Sequence, residues 1–361
     1  MADTSNCVCG PTLHQDVENA ARSLYSAFQH ELHGKTVFVT GATGLIGSQI
    51  CRSLLMCNKL YDDADFRVVA FIRSPEKARA AFPAFLEDPH LTFCQGDILS
   101  PISYEGSVDY IVHGASATSS RYFVDHPVET IQTALQGTDN ILSFARQKEA
   151  DGIVYLSSLE VYGTPDGSKE TISEEDYGYI DPLSVRSSYS EGKRMAENLC
   201  ASYASEYSVP VKIVRLSQTF GAGVQYNDGR VFAEFSRCLI EKRDIVLHTE
   251  GRTIRTYCYT TDAVTGILTA LLRGEAGKAY NVTNPETACS IREMAELVAG
   301  LDPDAGIRVR VEIPEDLASY GYNPEMVIRL NPSALEALGW VPKVGLEDMF
   351  RRTIAGMTER G

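Results

Sequence analysis

The segment Lys35–Thr40 (KTVFVT) is a short, β-branched apolar run that leads straight into Gly41-Ala42-Thr43-Gly44-Leu45-Ile46-Gly47 and then a helix-like stretch from Ser48 to Met56. A buried strand, a glycine turn and a helix in that order constrain the chain more than any other feature, because they are the opening unit of a parallel α/β sheet. Glycines at 41, 44 and 47 let the backbone turn sharply and come close to a pyrophosphate, whose charge then rests on the helix N-terminus. Gly41, Thr43, Gly44, Leu45, Ile46 and Gly47 are therefore the expected cradle of a dinucleotide. Outside a strand–turn–helix context the same spacing would be only a glycine-rich turn.

Apolar runs recur at 67–72, 110–113, 153–157 and 211–216, with helical patterns between several of them. Strands alternating with helices predict an α/β fold with a doubly wound parallel sheet. From about residue 221 the alternation loosens into Gly, Pro and Asn punctuation with short helices such as Ser290–Ala299. The expected organisation is a helical lead-in over 1–33, a dinucleotide-binding domain over 34–220, and a smaller C-terminal substrate-binding lobe over 221–361, interleaved with the domain before it. The chain has 361 residues and a net charge of −15, which disfavours nucleic acid or a membrane surface as partner. It holds no run long and apolar enough to span a bilayer, and Met1–Gly10 lacks the apolar core of a signal peptide, so a cytoplasmic protein is expected. Nine scattered cysteines read as reduced thiols. The one close pair, Cys7 and Cys9, lacks the gap of a zinc knuckle, and no metal site is expected.

Discrimination between cofactors should lie at the end of the second strand, where an acidic residue holds the ribose of NAD and an arginine favours NADP. Here Ile72 stands where the acid is expected, and Arg73 can pair with a 2′-phosphate, which tilts the choice towards NADP. Asp97 and Ile98, after the apolar run Leu91–Phe93, are placed to hold the adenine, although a plain turn aspartate has the same appearance. Of 18 tyrosines, only Tyr189 is followed four positions on by a lysine, Lys193. On a helix that spacing puts both side chains on one face. Using a phenol as a base near neutral pH asks for roughly 4 kcal/mol of phenolate stabilisation, which a neighbouring ammonium and a positive nicotinamide ring supply. Upstream, Tyr155 to Gly163 places hydroxyls and one carboxylate just after an apolar strand, where an open α/β sheet binds its ligands. Each motif alone also fits a surface pair or a polar turn.

In this order the motifs resemble the extended short-chain dehydrogenase/reductase family, the NAD-dependent epimerases and dehydratases of nucleotide sugars, whose fold is of the Rossmann type. The similarity covers about residues 35–355. It is strongest to the UDP-glucuronate decarboxylase branch, through Ser158-Leu159-Glu160-Val161-Tyr162-Gly163, Tyr189 to Glu197, Asn227-Asp228-Gly229-Arg230-Val231, and Leu338 to Lys343. The resemblance implies a catalytic triad of Ser158, Tyr189 and Lys193, with Glu160 as an additional acid/base residue. It also implies that Tyr189 and Lys193 contact the cofactor, that Arg255 faces the sugar diphosphate or the reacting sugar, and that Arg329 matches a phosphate-binding arginine, with Arg230 expected to bind the diphosphate beside Arg255. Leu159 replaces the aspartate of the 4,6-dehydratases, which argues against that dehydration. The ribose-binding aspartate usual in the decarboxylases is missing at Ile72, and the tract ending in Arg329 is otherwise unlike the family's.

The leading expectation is an enzyme that passes a nucleotide sugar through a transient 4-keto state with bound NAD or NADP, ending in decarboxylation or epimerisation. A net NADPH-dependent keto-sugar reductase is the alternative raised by Arg73, and a silent nucleotide-binding scaffold is the non-enzymatic one. Ser116, Thr118 and Ser119 are expected to line the sugar pocket, and His113 to be structural. The apolar stripes after Val128 and after Tyr189 imply, through the same resemblance, a homodimer built on those helices.

Overall fold

The computed structural model describes residues 10–117, 120–314 and 325–360. The strands are β1 (Thr36–Thr40), β2 (Arg67–Ile72), β3 (Leu91–Gln95), β4 (Tyr110–His113), β5 (Gly152–Ser158), β6 (Val211–Leu216), β7 (Gln218–Phe220), β8 (Ile245–Leu247), β9 (Ile254–Tyr259), β10 (Ala279–Val282), β11 (Asn284–Ser290), β12 (Val309–Val311) and β13 (Val327–Ile328). The helices are α1 (Pro11–Leu32), α2 (Leu45–Leu60), α3 (Pro75–Ala81), α4 (Ser120–Asp125), α5 (Pro127–Gln147), α6 (Ser188–Tyr207), α7 (Val231–Ile240), α8 (Thr260–Arg273), α9 (Ile291–Gly300), α10 (Ser333–Glu336) and α11 (Leu346–Thr358).

Seven strands form one sheet in the order β10-β6-β5-β4-β1-β2-β3, and every pairing in it is parallel. Alternate residues of its strands feed opposite faces, as the pleat requires. Val37 and Val39 of β1 pack with α1, α2 and α8, whereas Phe38 between them packs with α5 and α6. The strand order reverses between β1 and β4, which opens a crevice at their carboxyl ends, the place where ligands of such sheets bind.

The chain after residue 221 is interleaved with this sheet, since β10 closes its edge and α8 packs on its face. The lead-in contributes to the same core: Leu13, Val17, Ala21, Leu24, Phe28 and Leu32 of α1 are buried there. A second core gathers α7, α9, α11 and the strands β8 and β9, and β9 pairs with β7, β11 and β13. This smaller lobe brings its strand β9 and the start of α7 over the carboxyl ends of the main sheet.

Candidate active site

The turn after β1 shows why glycine is needed there. Gly41 has φ +68°, and a Cβ on it would stand 2.6 Å from the Gly114 carbonyl oxygen that follows β4. A Cβ on Gly47 would collide with the carbonyl of Gly41. These two glycines therefore serve the close packing of the turn on its own helix and on the neighbouring strand. Gly44 is the N-cap of α2, and no side chain caps that helix end. Its first-turn N–H groups are left for a ligand, in the way anions are bound at helix N-termini.

A cavity of about 690 Å3 runs from this turn across the sheet to the smaller lobe. Gly41, Thr43, Gly44, Leu45, Ile46, Gly47, Arg73, Asp97, Ile98, Ser116, Ser158, Glu160, Tyr189, Lys193, Arg230 and Arg255 all line it. Residues as far apart in sequence as Gly41 and Arg255 are thus brought to one cavity. Arg329 is not among the lining residues: its backbone carbonyl accepts from Ile172, and its charge is felt by Glu293 on α9. Thr118, Ser119, Cys7 and Cys9 lie outside the described residues, and among those described no cluster of His, Cys, Asp or Glu could hold a metal ion.

At the carboxyl end of β5, Ser158 closes the strand and accepts from the Glu160 N–H at 3.2 Å, which starts a one-turn 3-10 helix. That turn aims Glu160 into the cavity, where its carboxylate accepts a two-pronged bond from Arg186 and a third bond from Ser190. Tyr189 and Lys193 project from the first two turns of α6, as their spacing demands. Burial and the Glu160 charge push the Tyr189 phenol well above its usual range, and a hydrogen bond with Ser158 works in the opposite sense. The lysine does not supply the expected relief. Its Nζ donates to the Leu156 carbonyl at 2.7 Å and stands 5.8 Å from the Tyr189 ring centre, and burial brings its own pKa down to about 8. His113 is a buried, neutral spacer between Thr40 and Thr138, with burial and Lys193 holding it down to about 3.

The two arginines differ. Arg230 is forked onto Asp228, at 3.0 and 2.6 Å, whereas the one side-chain bond of Arg255 among the described residues is to the sulfur of Met326, at 3.7 Å. Its Nε is buried with no hydrogen-bond partner, the arrangement of a donor that a ligand oxygen completes. Lys77 and Phe123 are among the cavity residues that were not foreseen. Lys77 stands beside Arg73 at the cofactor end, and Phe123 of α4 stacks flat on Tyr189 with ring centres 4.2 Å apart. Neither lies in a motif with a spacing of its own, so only the fold reveals them.

Residues 37–283 match the NAD dependent epimerase/dehydratase family. The chain is 30% identical to UDP-glucuronic acid decarboxylase 1 of Xenopus tropicalis, over 95% of this chain and 78% of that one. It is also 30% identical to UDP-glucuronic acid decarboxylase 6 of Arabidopsis thaliana, over 86% of this chain and 85% of that one. Among solved structures, a dTDP-glucose 4,6-dehydratase from Streptomyces venezuelae with NAD bound superposes with a TM-score of 0.73 at 24% identity, covering 90% of this chain and 97% of that one, a likeness of fold.

Proposed function

This chain belongs to the NAD dependent epimerase/dehydratase family, and from that premise we propose that it modifies a nucleotide sugar through transient oxidation of the sugar's C4 hydroxyl. The observation that carries the reading is the convergence of Ser158, Glu160, Tyr189 and Lys193 on the cavity that also holds the glycine turn and Arg255. The residues present fit a nicotinamide dinucleotide: the uncapped start of α2 offers N–H groups to its pyrophosphate, and Lys193 and Asp97 reach into the same cavity. When bound, it supplies a hydride acceptor that gives the hydride back within the turnover.

Tyr189 takes the C4 hydroxyl proton while Ser158 orients that hydroxyl. Since burial holds the phenol up, Tyr189 needs cationic surroundings to act as a base, which Arg186, Arg230 and an oxidised nicotinamide provide. Arg255, with its open Nε, binds the sugar diphosphate, and Arg230 assists from the start of α7. The C4 ketone makes a C5 carboxylate a leaving group: carbon dioxide departs, the bonding pair moves into the ketone, and C5 takes up a proton from solvent, delivered by way of Glu160. The decarboxylase relatives favour a uronic acid substrate and this outcome. A keto sugar that turns over before the hydride returns gives the epimer instead.

The cofactor reading extends to NADP. Ile72 is buried where an acid would hold a free ribose hydroxyl, and Arg73 and Lys77 are exposed on the cavity rim without an ion-pair partner among the described residues. The same pair of cations supports a second reading, net reduction of a keto sugar by NADPH. Mass spectrometry of the purified protein for retained cofactor, followed by incubation with a panel of UDP-, dTDP-, GDP- and CDP-sugars, tests both. Product formed in excess of cofactor supports the redox-neutral reaction, and stoichiometric loss of NADPH absorbance supports the reductase. No turnover of any member would contradict both.

We place the protein in a reducing compartment, the cytoplasm. The seven described cysteines are free and buried, and no helix among the described residues is long and apolar enough to cross a membrane. Val128 and Ile131 on α5 and Met195 on α6 are exposed on adjacent helices, which supports a homodimer through that face, measurable by light scattering.

A further inference from the structure

Arg186 has entered so far only as one of the cations near Tyr189, yet its contacts converge on Glu160 and on the ring behind Tyr189. It sits in the 3-10 turn Val185–Ser187 directly ahead of α6. Its Nη1 and Nη2 donate to the two carboxylate oxygens of Glu160 at 3.0 and 3.1 Å, and Ser190 donates to one of the same oxygens at 3.1 Å. The guanidinium also lies 5.2 Å from the centre of the Phe123 ring. That ring is buried and stacks on Tyr189 at an interplanar angle of 9°. Ser188 fastens the arrangement by donating to the Phe123 carbonyl at 3.1 Å. One cation is therefore bonded to the acid/base carboxylate and covers the ring that backs the base. Both members of the pair are only about one-fifth exposed, at 21% and 22%, where a two-pronged arginine–carboxylate bond is stronger and more directional than a surface pair.

We propose that Arg186 is a positioning residue of the reaction, clamping Glu160 towards the sugar and offsetting its charge so that the carboxylate does not oppose ionisation of Tyr189. This rests on the nucleotide-sugar reading of the site and deepens it. The charged groups facing Tyr189 are Glu160 from the turn after β5, Arg186 from the turn ahead of α6, Arg230 from the start of α7, and Lys193 one turn along its own helix. Behind the leading effect of burial, Glu160 raises the phenol while Arg186 and Arg230 lower it. Without Arg186 the carboxylate would stand uncompensated beside the base. Lysine restores the charge but not the fork.

The test is the pH profile of kcat for the sugar that the protein turns over. Arg186→Met is expected to move the acidic limb up by about one pH unit and to cost about tenfold in kcat at neutral pH with KM little changed. In a Glu160→Gln background the same substitution is expected to move the limb by less, leaving only the direct pull of the guanidinium on the phenol. Arg186→Lys is expected to restore the limb but not the full kcat, and it carries the test if Arg186→Met does not fold. A wild-type limb in Arg186→Met, a shift that persists undiminished with Glu160→Gln, or full kcat in Arg186→Lys would each overturn the proposal.

A second readout is independent of turnover. With oxidised cofactor bound, the ultraviolet difference titration between each protein and its Tyr189→Phe partner follows this phenol alone. Arg186→Met is expected to raise the midpoint, and an unchanged or lowered midpoint overturns the proposal even if no sugar in the panel reacts. Absence of turnover with a raised midpoint would instead count against the substrate reading.

Discussion

Tyr189→Phe removes one oxygen atom and with it the only proton acceptor proposed for the sugar hydroxyl. Turnover is expected to fall by about 10³-fold while cofactor and nucleotide binding persist, measured as kcat beside the two dissociation constants. Lys193 gives a prediction with a sign. Burial holds its ammonium down to about 8, against an upward pull from Glu197 and Cys200. The charge is therefore present below about pH 8 and lost as pH rises through it, so the affinity of the free protein for its dinucleotide is expected to weaken across that interval. Titrating the dissociation constant against pH checks this, and Lys193→Met should flatten the dependence. These residues were legible in the sequence because the relation of Tyr189 to Lys193 is local, four positions on one helix. Arg186 was not, because its partner Glu160 lies 26 positions away and two 3-10 turns bring them together. Arg329 carried a resemblance but is not among the residues that line the cavity; it follows β13, which pairs in register with Ile254 and Arg255 of β9.

Elements are held behind the catalytic strand by a buried ion pair. Arg215 of β6 meets Glu197 of α6 at 2.7 Å, and both are buried. Glu197 also accepts from Ser157, next to the cavity-lining Ser158, and Arg215 donates to Tyr162, to Tyr177 and to the Glu174 carbonyl. Removing one partner strands the other charge in the interior, so Arg215→Met is expected to cost about 3–5 kcal/mol of stability, read from the denaturant midpoint. The double variant Arg215→Met/Glu197→Leu is expected to recover much of that loss, since no bare carboxylate remains. Strands were legible wherever an apolar run was short and β-branched: β2, β4 and β6 begin and end where the sequence places them. What hydropathy does not convey is long-range pairing. Nothing in Ala279–Val282 announces that this strand leaves the smaller lobe to close the first sheet beside β6.

At the scale of the whole molecule, the two lobes are tied by the chain ends. Asp16 of α1 is buried, hydrogen-bonded to Tyr259, and paired with Arg352 of α11, while Thr12 meets Glu359. The lead-in helix thus packs into one core and is bonded to the other lobe. Arg352→Ala is expected to lower the thermal midpoint by leaving the Asp16 charge unpaired, without changing kcat, because neither residue lines the active cavity. The charge of −15 disfavours nucleic acid, yet Arg73, Lys77, Arg230 and Arg255 gather around one cavity. Overall charge, summed over the surface, says nothing of so local a placement, which is why composition could limit the partners but not find the site. The central claim, oxidation that is repaid within each turnover, is tested most directly by incubating UDP-glucuronic acid with the protein at sub-stoichiometric cofactor and weighing the nucleotide sugar by mass spectrometry. The expected result is many product molecules per cofactor, each lighter by one carbon dioxide. Product that stops at one per cofactor, or a nucleotide sugar returned unchanged both in mass and in configuration at C4, would contradict it.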